Sequence, residues 1–141
     1  MQITEKKGLT LLELVVCTLI IGILASTALP LSKNLLRHEK EQLLRDRLRE
    51  IRYAIDRFYQ MKVAKTPGLS EKEAYPASLQ ELVENRMLRR IPIDPMTGKA
   101  DWRIRSTTDE ITAELTDGTN VFDVTSTSGE IGSDGQPYFQ W

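Results

Sequence analysis

Residues 9–31 read LTLLELVVCTLIIGILASTALPL, twenty-three residues with a single charge, Glu13. As an α-helix this run spans ~34 Å, enough to cross a bilayer core of ~30 Å. A helix covering a soluble core keeps one polar face, whereas this run is apolar on every side. It therefore predicts a membrane helix. A secretory signal peptide is the competing reading, because Lys6 and Lys7 supply a basic flank and Ala25, Ser26, Thr27 and Ala28 are small. Two details oppose it. The run exceeds the ~7–15 apolar residues of a signal. A carboxylate inside it is also costly, at ~2.5–3.5 kcal/mol for Asp at the centre of a membrane helix. Glu13 lies nearer the edge and still needs a partner.

Beyond this run the pattern changes. Pro30 removes one helical hydrogen bond, which predicts a kink or local melting. Helical periodicity then resumes over residues 32–63, with Leu44, Leu48, Ile51, Ile55 and Phe58 on one stripe and Arg45, Arg47, Arg49, Glu50, Arg52, Asp56 and Arg57 elsewhere. At under four heptads, that stripe suits the cover of a small sheet better than a coiled-coil seam. Thr66, Pro67 and Gly68 end the helix, and residues up to Pro76 read as a loop. Ser78-Leu79-Gln80-Glu81 has the spacing of a capping box and opens a short helix. Two prolines and a glycine make residues 91–98 an extended turn. Residues 102–106, 110–116 and 121–125 alternate as strands, the last two joined through Asp117-Gly118, a hairpin signal. The fold class expected is α+β, a long N-terminal helix packed on a three-stranded antiparallel sheet with a polar C-terminal loop.

Composition narrows the function. Over 141 residues, 19 Lys and Arg meet 20 Asp and Glu, a balance without the basic excess of a general nucleic-acid binder. A single cysteine, Cys17, and a single histidine, His38, exclude a disulfide within the chain and Cys- or His-rich metal centres. The sequence has no G-x-S-x-G, S-x-x-K or phosphate-loop motif, so no enzyme is expected. Charge is polarised instead. Residues 33–65 hold ten basic and five acidic groups, net +5, and residues 101–141 hold two basic and eight acidic groups, net −6. Opposed blocks suit head-to-tail packing of copies, and a contact that does not close into a ring builds a helical filament.

Gly8-Leu9-Thr10-Leu11-Leu12-Glu13, after a short basic leader and before the apolar run, resembles the class III signal of type IV pilins and type II secretion pseudopilins. The resemblance implies that a prepilin peptidase cuts between Gly8 and Leu9 and methylates the new N-terminus at Leu9, where the family usually has Phe. Glu13 is then the fifth residue of the mature chain, the family's glutamate, and Gly22 and Pro30 fall where the family has a helix-loosening glycine and a proline. The domains implied are a leader over residues 1–8, a transmembrane and filament-core helix over 9–31, and a periplasmic globular domain over 32–141. Two further stretches, Tyr75-Pro76-Ala77-Ser78-Leu79 through Asp94-Pro95-Met96-Thr97-Gly98 and Phe122-Asp123-Val124-Thr125-Ser126 on to Asp134-Gly135 and Trp141, resemble the major, G-type pseudopilin.

The same resemblance implies a structural subunit of a type II secretion pseudopilus, held in the inner membrane and polymerised into a filament that helps export folded proteins. Its partners would be further copies of itself, minor pseudopilins, the prepilin peptidase, the inner-membrane assembly platform and the membrane, with no nucleic acid. A type IV pilus pilin is the alternative, and a membrane-anchored soluble domain the remaining one. Glu13, buried in such a filament, would need a cation, and the terminal amine of Leu9 on a neighbouring copy would supply it. The major pseudopilins also hold calcium in the C-terminal loop. Here Ser126 and Asp134 are the candidate ligands, without the family's cluster of adjacent acids, and a plain turn over residues 133–135 is the other reading.

Overall fold

The computed structural model describes residues 8, 10–109 and 116–141, with the backbone alone over 27–33. The chain divides into two compact units, Met1–Arg37 and His38–Trp141. One helix, α1 (Leu11–Lys65), supplies residues to both.

In the first unit α1 begins after Thr10, whose Oγ1 accepts the Glu13 N–H at 3.2 Å while its carbonyl accepts the Leu14 N–H at 3.1 Å. This is helix capping by a Thr at the N-cap position. The Thr18 and Ser26 hydroxyls donate back to the Val15 and Ile23 carbonyls at 2.9 and 2.7 Å, so neither needs a partner from outside the helix. The backbone stays helical through Pro30, where sequence reasoning allowed local melting. One lost hydrogen bond can be absorbed inside a long helix.

The second unit is built on the stripe. Leu44, Leu48, Ile51, Ile55 and Phe58 are all buried, joined by Ala54. They pack with Leu79, Leu82, Leu88, Trp102, Val121, Val124 and Tyr138 into one core. The segment read as loop before Pro76 contains a one-turn helix, α2 (Glu71–Ala74), which buries Ala74. Helix α3 (Leu79–Glu84) is capped as expected, with Ser78 Oγ accepting the Glu81 N–H at 3.3 Å. The Glu81 carboxylate reaches back one residue further, to the Ala77 N–H at 2.8 Å. After α3 the chain reverses through Arg86, a non-glycine residue at φ 59°.

The sheet departs from the three strands expected. Two strands are found among the described residues, β1 (Trp102–Arg105) and β2 (Asp123–Ser126), and residues 110–115 of the expected middle strand lie outside the description. β1 and β2 pair directly and antiparallel, from Trp102 opposite Ser126 to Arg105 opposite Asp123. The first and third expected runs are therefore direct neighbours. The segment between them is closed by Asn120. Its Oδ1 accepts from the Ser106 hydroxyl and the Thr107 N–H, both at 3.0 Å, and its Nδ2 donates to the Lys72 carbonyl at 3.1 Å.

The extended turn over residues 91–98 is a hub. Asp94 is fully buried; its carboxylate accepts the Met96 N–H at 2.8 Å and the Ser126 hydroxyl at 2.6 Å. The Pro92 carbonyl accepts the Trp102 indole N–H at 2.9 Å. Gly98, at φ 72°, sits where the backbone turns left-handed and donates its N–H to the Asp94 carbonyl at 2.8 Å. The C-terminal loop ends in a 3-10 turn, Tyr138–Gln140, which buries the Tyr138 ring against Trp141.

Candidate functional site

The first unit carries the linear motif. Gly8 precedes α1 and is exposed. A Cβ placed there meets nothing within 4 Å, and its φ is not among the positive ones. Among the described residues nothing crowds a side chain at that position. Leu9 lies outside the described residues. Gly22 likewise has nothing within 4 Å of an added Cβ.

Glu13 stands in the first turn of α1. Its exposed carboxylate has no side-chain partner among the described residues. The positive end of a helix favours such a charge by ~0.3–1 kcal/mol. That is far below the several kcal/mol needed to bury an ion. The helix alone therefore lets Glu13 sit near water and does not prepare it for an apolar core. Thr10-Leu11-Leu12-Glu13 has capping-box spacing. Sequence reasoning passed over Thr10 because the apolar run absorbed it.

Around the axis the helix is bare. Leu11, Leu12, Leu14, Val15, Val16, Leu19, Ile20, Ile21, Ile23 and Leu24 are all exposed. At ~100° per residue these positions surround the helix. Covering ten such side chains is worth on the order of 15–30 kcal/mol, so this surface demands lipid or protein around it. Among the described residues no helix is long and apolar enough to cross a membrane. The apolar run is described with side chains over residues 10–26 only, and the expected span also includes Leu9 and residues 27–31. Cys17 is exposed on the same surface.

The second unit holds two polar anchors that sequence reasoning missed. Glu41, only 3% exposed, continues the buried stripe one turn before Leu44. Its Oε1 accepts the Ser133 N–H at 2.8 Å and the Tyr138 hydroxyl at 2.9 Å; its Oε2 accepts the Ser133 hydroxyl at 2.5 Å. His38, expected on a solvated surface, is mostly exposed and brings Nδ1 to 3.6 Å from the same carboxylate. The second anchor is Arg52. It donates to Asp123 Oδ1 at 2.7 Å, the Val124 carbonyl at 3.2 Å and the Trp141 carbonyl at 2.9 Å. The Arg45 guanidinium lies 4.4 Å from the Trp141 ring centre. Part of the opposed charge seen in the sequence is thus used inside one subunit.

Ser126 and Asp134, the calcium candidates, are held by different partners. The buried Ser126 hydroxyl donates to Asp94, while the exposed Asp134 carboxylate accepts the Gln136 N–H at 3.0 Å. Among the described residues no group of three or more His, Cys, Asp or Glu is placed to hold a metal ion. The residues present do not gather the six to eight oxygens calcium takes. The loop of Asp109 and Asp117 is tied up by its own hydrogen bonds. The Ser106 and Asp117 N–H groups hold the Asp109 carboxyl below the usual range, and the Thr108 hydroxyl, then the Thr119 N–H and hydroxyl, hold that of Asp117 well below it. A 470 Å³ cleft beside α2 is lined by Lys62, Ser70, Lys72, Glu73, Tyr75 and Glu81 among others. Several of its polar groups pair with one another, Lys62 with Glu81 at 3.7 Å and Ser70 with Glu73 at 2.7 Å.

Residues 4–29 match the prokaryotic N-terminal methylation motif, the signature of type IV pilins and pseudopilins. The match covers Gly8, Leu9, Glu13 and Gly22. No curated protein and no solved structure matches the chain significantly.

Proposed function

We propose that this chain, which carries the pilin-type N-terminal motif, is a structural subunit of a type II secretion pseudopilus. One observation carries the reading: the methylation motif sits on a helix that is apolar on all sides. A prepilin peptidase cuts after Gly8 and methylates Leu9. Before assembly the apolar part of α1 rests in the inner membrane, with the second unit in the periplasm. In the filament the same surface packs against other copies, and Glu13 pairs with the amine of Leu9 on a neighbour. The assembly platform and minor pseudopilins join it there, and the chain performs no catalysis. Resemblance to the major, G-type subgroup is supported by the Asp94–Ser126 hydrogen bond, which ties its two sequence stretches together. The motif is common to pilins of type IV pili, which is the second reading.

Mass spectrometry of the mature N-terminus tests this. We expect residues 1–8 to be absent and one methyl group on Leu9, and we expect Gly8→Val to keep its leader. An intact Met1 in the wild-type chain would turn the reading into that of a membrane-anchored soluble domain.

A further inference from the structure

The second unit presents two unlike patches on opposite flanks of its buried stripe. Taking Leu44, Leu48 and Ile51 as the centre, Leu43, Arg47 and Glu50 lie ~60–120° to one side of the helix, and Glu41, Arg45 and Arg52 ~60–100° to the other. The contacts follow this division. Leu43, Arg47 and Glu50 form a groove of about 170 Å³ with Arg90, Pro92, Ile93 and Pro95. Glu41, Arg45 and Arg52 hold the C-terminal loop.

Each patch has an apolar centre and charged edges. In the groove Leu43 and Ile93 are 43% and 57% exposed, and Arg47 and Arg90 line it with them. On the loop Ile131 is 60% exposed and stands between the exposed Glu130 and Asp134. The loop is held in shape beneath it. Ile131 bridges Pro137, the Glu130 carbonyl accepts the Tyr138 N–H at 3.0 Å, and the Gly132 N–H donates to the Gln136 carbonyl at 2.7 Å. A knob already fixed in place loses little freedom on docking.

We infer that Ile131 of one copy seats in the Leu43–Ile93 groove of the next, with Glu130 and Asp134 meeting Arg90 and Arg47. This rests on the filament reading and adds to it the lateral surface. The occupant is a second copy because the complementary patch, apolar centre and opposite charge included, is on this same chain. The two patches differ, so the contact is heterologous and repeats without closing. Its charges set register and orientation more than strength. Arg47 is shared with Glu50 at 2.8 Å, which leaves Arg90 the main cation for the incoming acids.

The test uses the full chain in cells that assemble the filament, with Cys17→Ala to remove the native thiol. Ile93→Cys together with Ile131→Cys should give, on oxidation, a ladder of dimers, trimers and larger species, and neither substitution alone should. Arg90→Glu should lower the yield of sheared filaments at least about tenfold, a change of ~1.4 kcal/mol per contact. Adding Glu130→Arg should restore it, which also shows that the first variant folds. Filaments without a ladder, a dimer from Ile93→Cys alone, or full yield from Arg90→Glu would overturn this surface while the filament reading stands. A wild-type chain that loses its leader and never polymerises would overturn both.

Discussion

Glu41→Ala should unlatch the C-terminal loop from α1. The substitution removes one carboxylate and leaves three donors, the Ser133 N–H and hydroxyl and the Tyr138 hydroxyl. They do not lose equally. Ser133 is exposed, so water replaces most of its loss. Tyr138 is 1% exposed, and its hydroxyl loses a charged acceptor in the core. A hydrogen bond to a charged group contributes ~1.5–3 kcal/mol, and the two part-buried ones from Ser133 add a smaller share. Together these give a loss of ~3–5 kcal/mol, a large part of the ~5–15 kcal/mol that holds a domain folded. For a fragment of residues 32–141, with a urea slope of ~1.5 kcal/mol/M, the midpoint should drop by ~2–3 M. The double variant Glu41→Ala, Tyr138→Phe separates the two causes. Because the two groups share one hydrogen bond, it should be less destabilised than the two single losses added, by ~1 kcal/mol or more. Strict additivity, or a Glu41→Ala loss under ~1 kcal/mol, would refute the latch.

Glu13→Ala should still lose its leader but yield no filaments, because stranding one partner of a buried ion pair costs ~3–5 kcal/mol per contact; wild-type yield in sheared fractions would sink the pairing with Leu9. Gly132→Ala would place a Cβ 2.5 Å from Cζ2 of Trp141, and should destabilise the fragment by the ~1–3 kcal/mol of an overpacked site, read as a lower melting temperature. The depressed carboxyls of Asp109 and Asp117 stabilise the fold above the ordinary carboxylate pKa of ~4 and lose that contribution as pH falls below it. Melting curves taken downward from pH ~5 should therefore fall, and less steeply in Asp117→Asn, where that charge is absent in both states.

How much was legible depends on the range of the interactions. The stripe from Leu44 to Phe58 shows in the sequence because one helix face repeats on a fixed period. The Ser78 cap and the Gly8-to-Glu13 motif show because each lies within a few residues. Glu41 stands on the same stripe yet reads as surface. Its partners lie 92 and 97 residues away, and no local pattern announces them. Asp94 is hidden the same way, its partner Ser126 being 32 residues on. The pairing of β1 with β2 was not legible, because alternation marks strands but not which ones become neighbours. The groove under Ile93 has no sequence signature, since helix flank and turn meet only in three dimensions.

The latch between Glu41 and the C-terminal loop also sets an order of events during synthesis. Joining positions 92 and 97 residues apart costs on the order of 4 kcal/mol in loop closure, returned only when the far segment arrives. The apolar start of α1 leaves the ribosome long before that and can enter a bilayer while the stripe behind it still lacks a lid. For that interval the stripe lacks Tyr138 and the Glu41 carboxylate lacks the loop, and exposed apolar surface of this kind is what chaperones hold and proteases remove. A chain broken off before Ser133 keeps the partners of the stripe up to Val124 but lacks the hydrogen bonds of the latch. The latch thus favours chains that reach Tyr138, because only they gain its contribution.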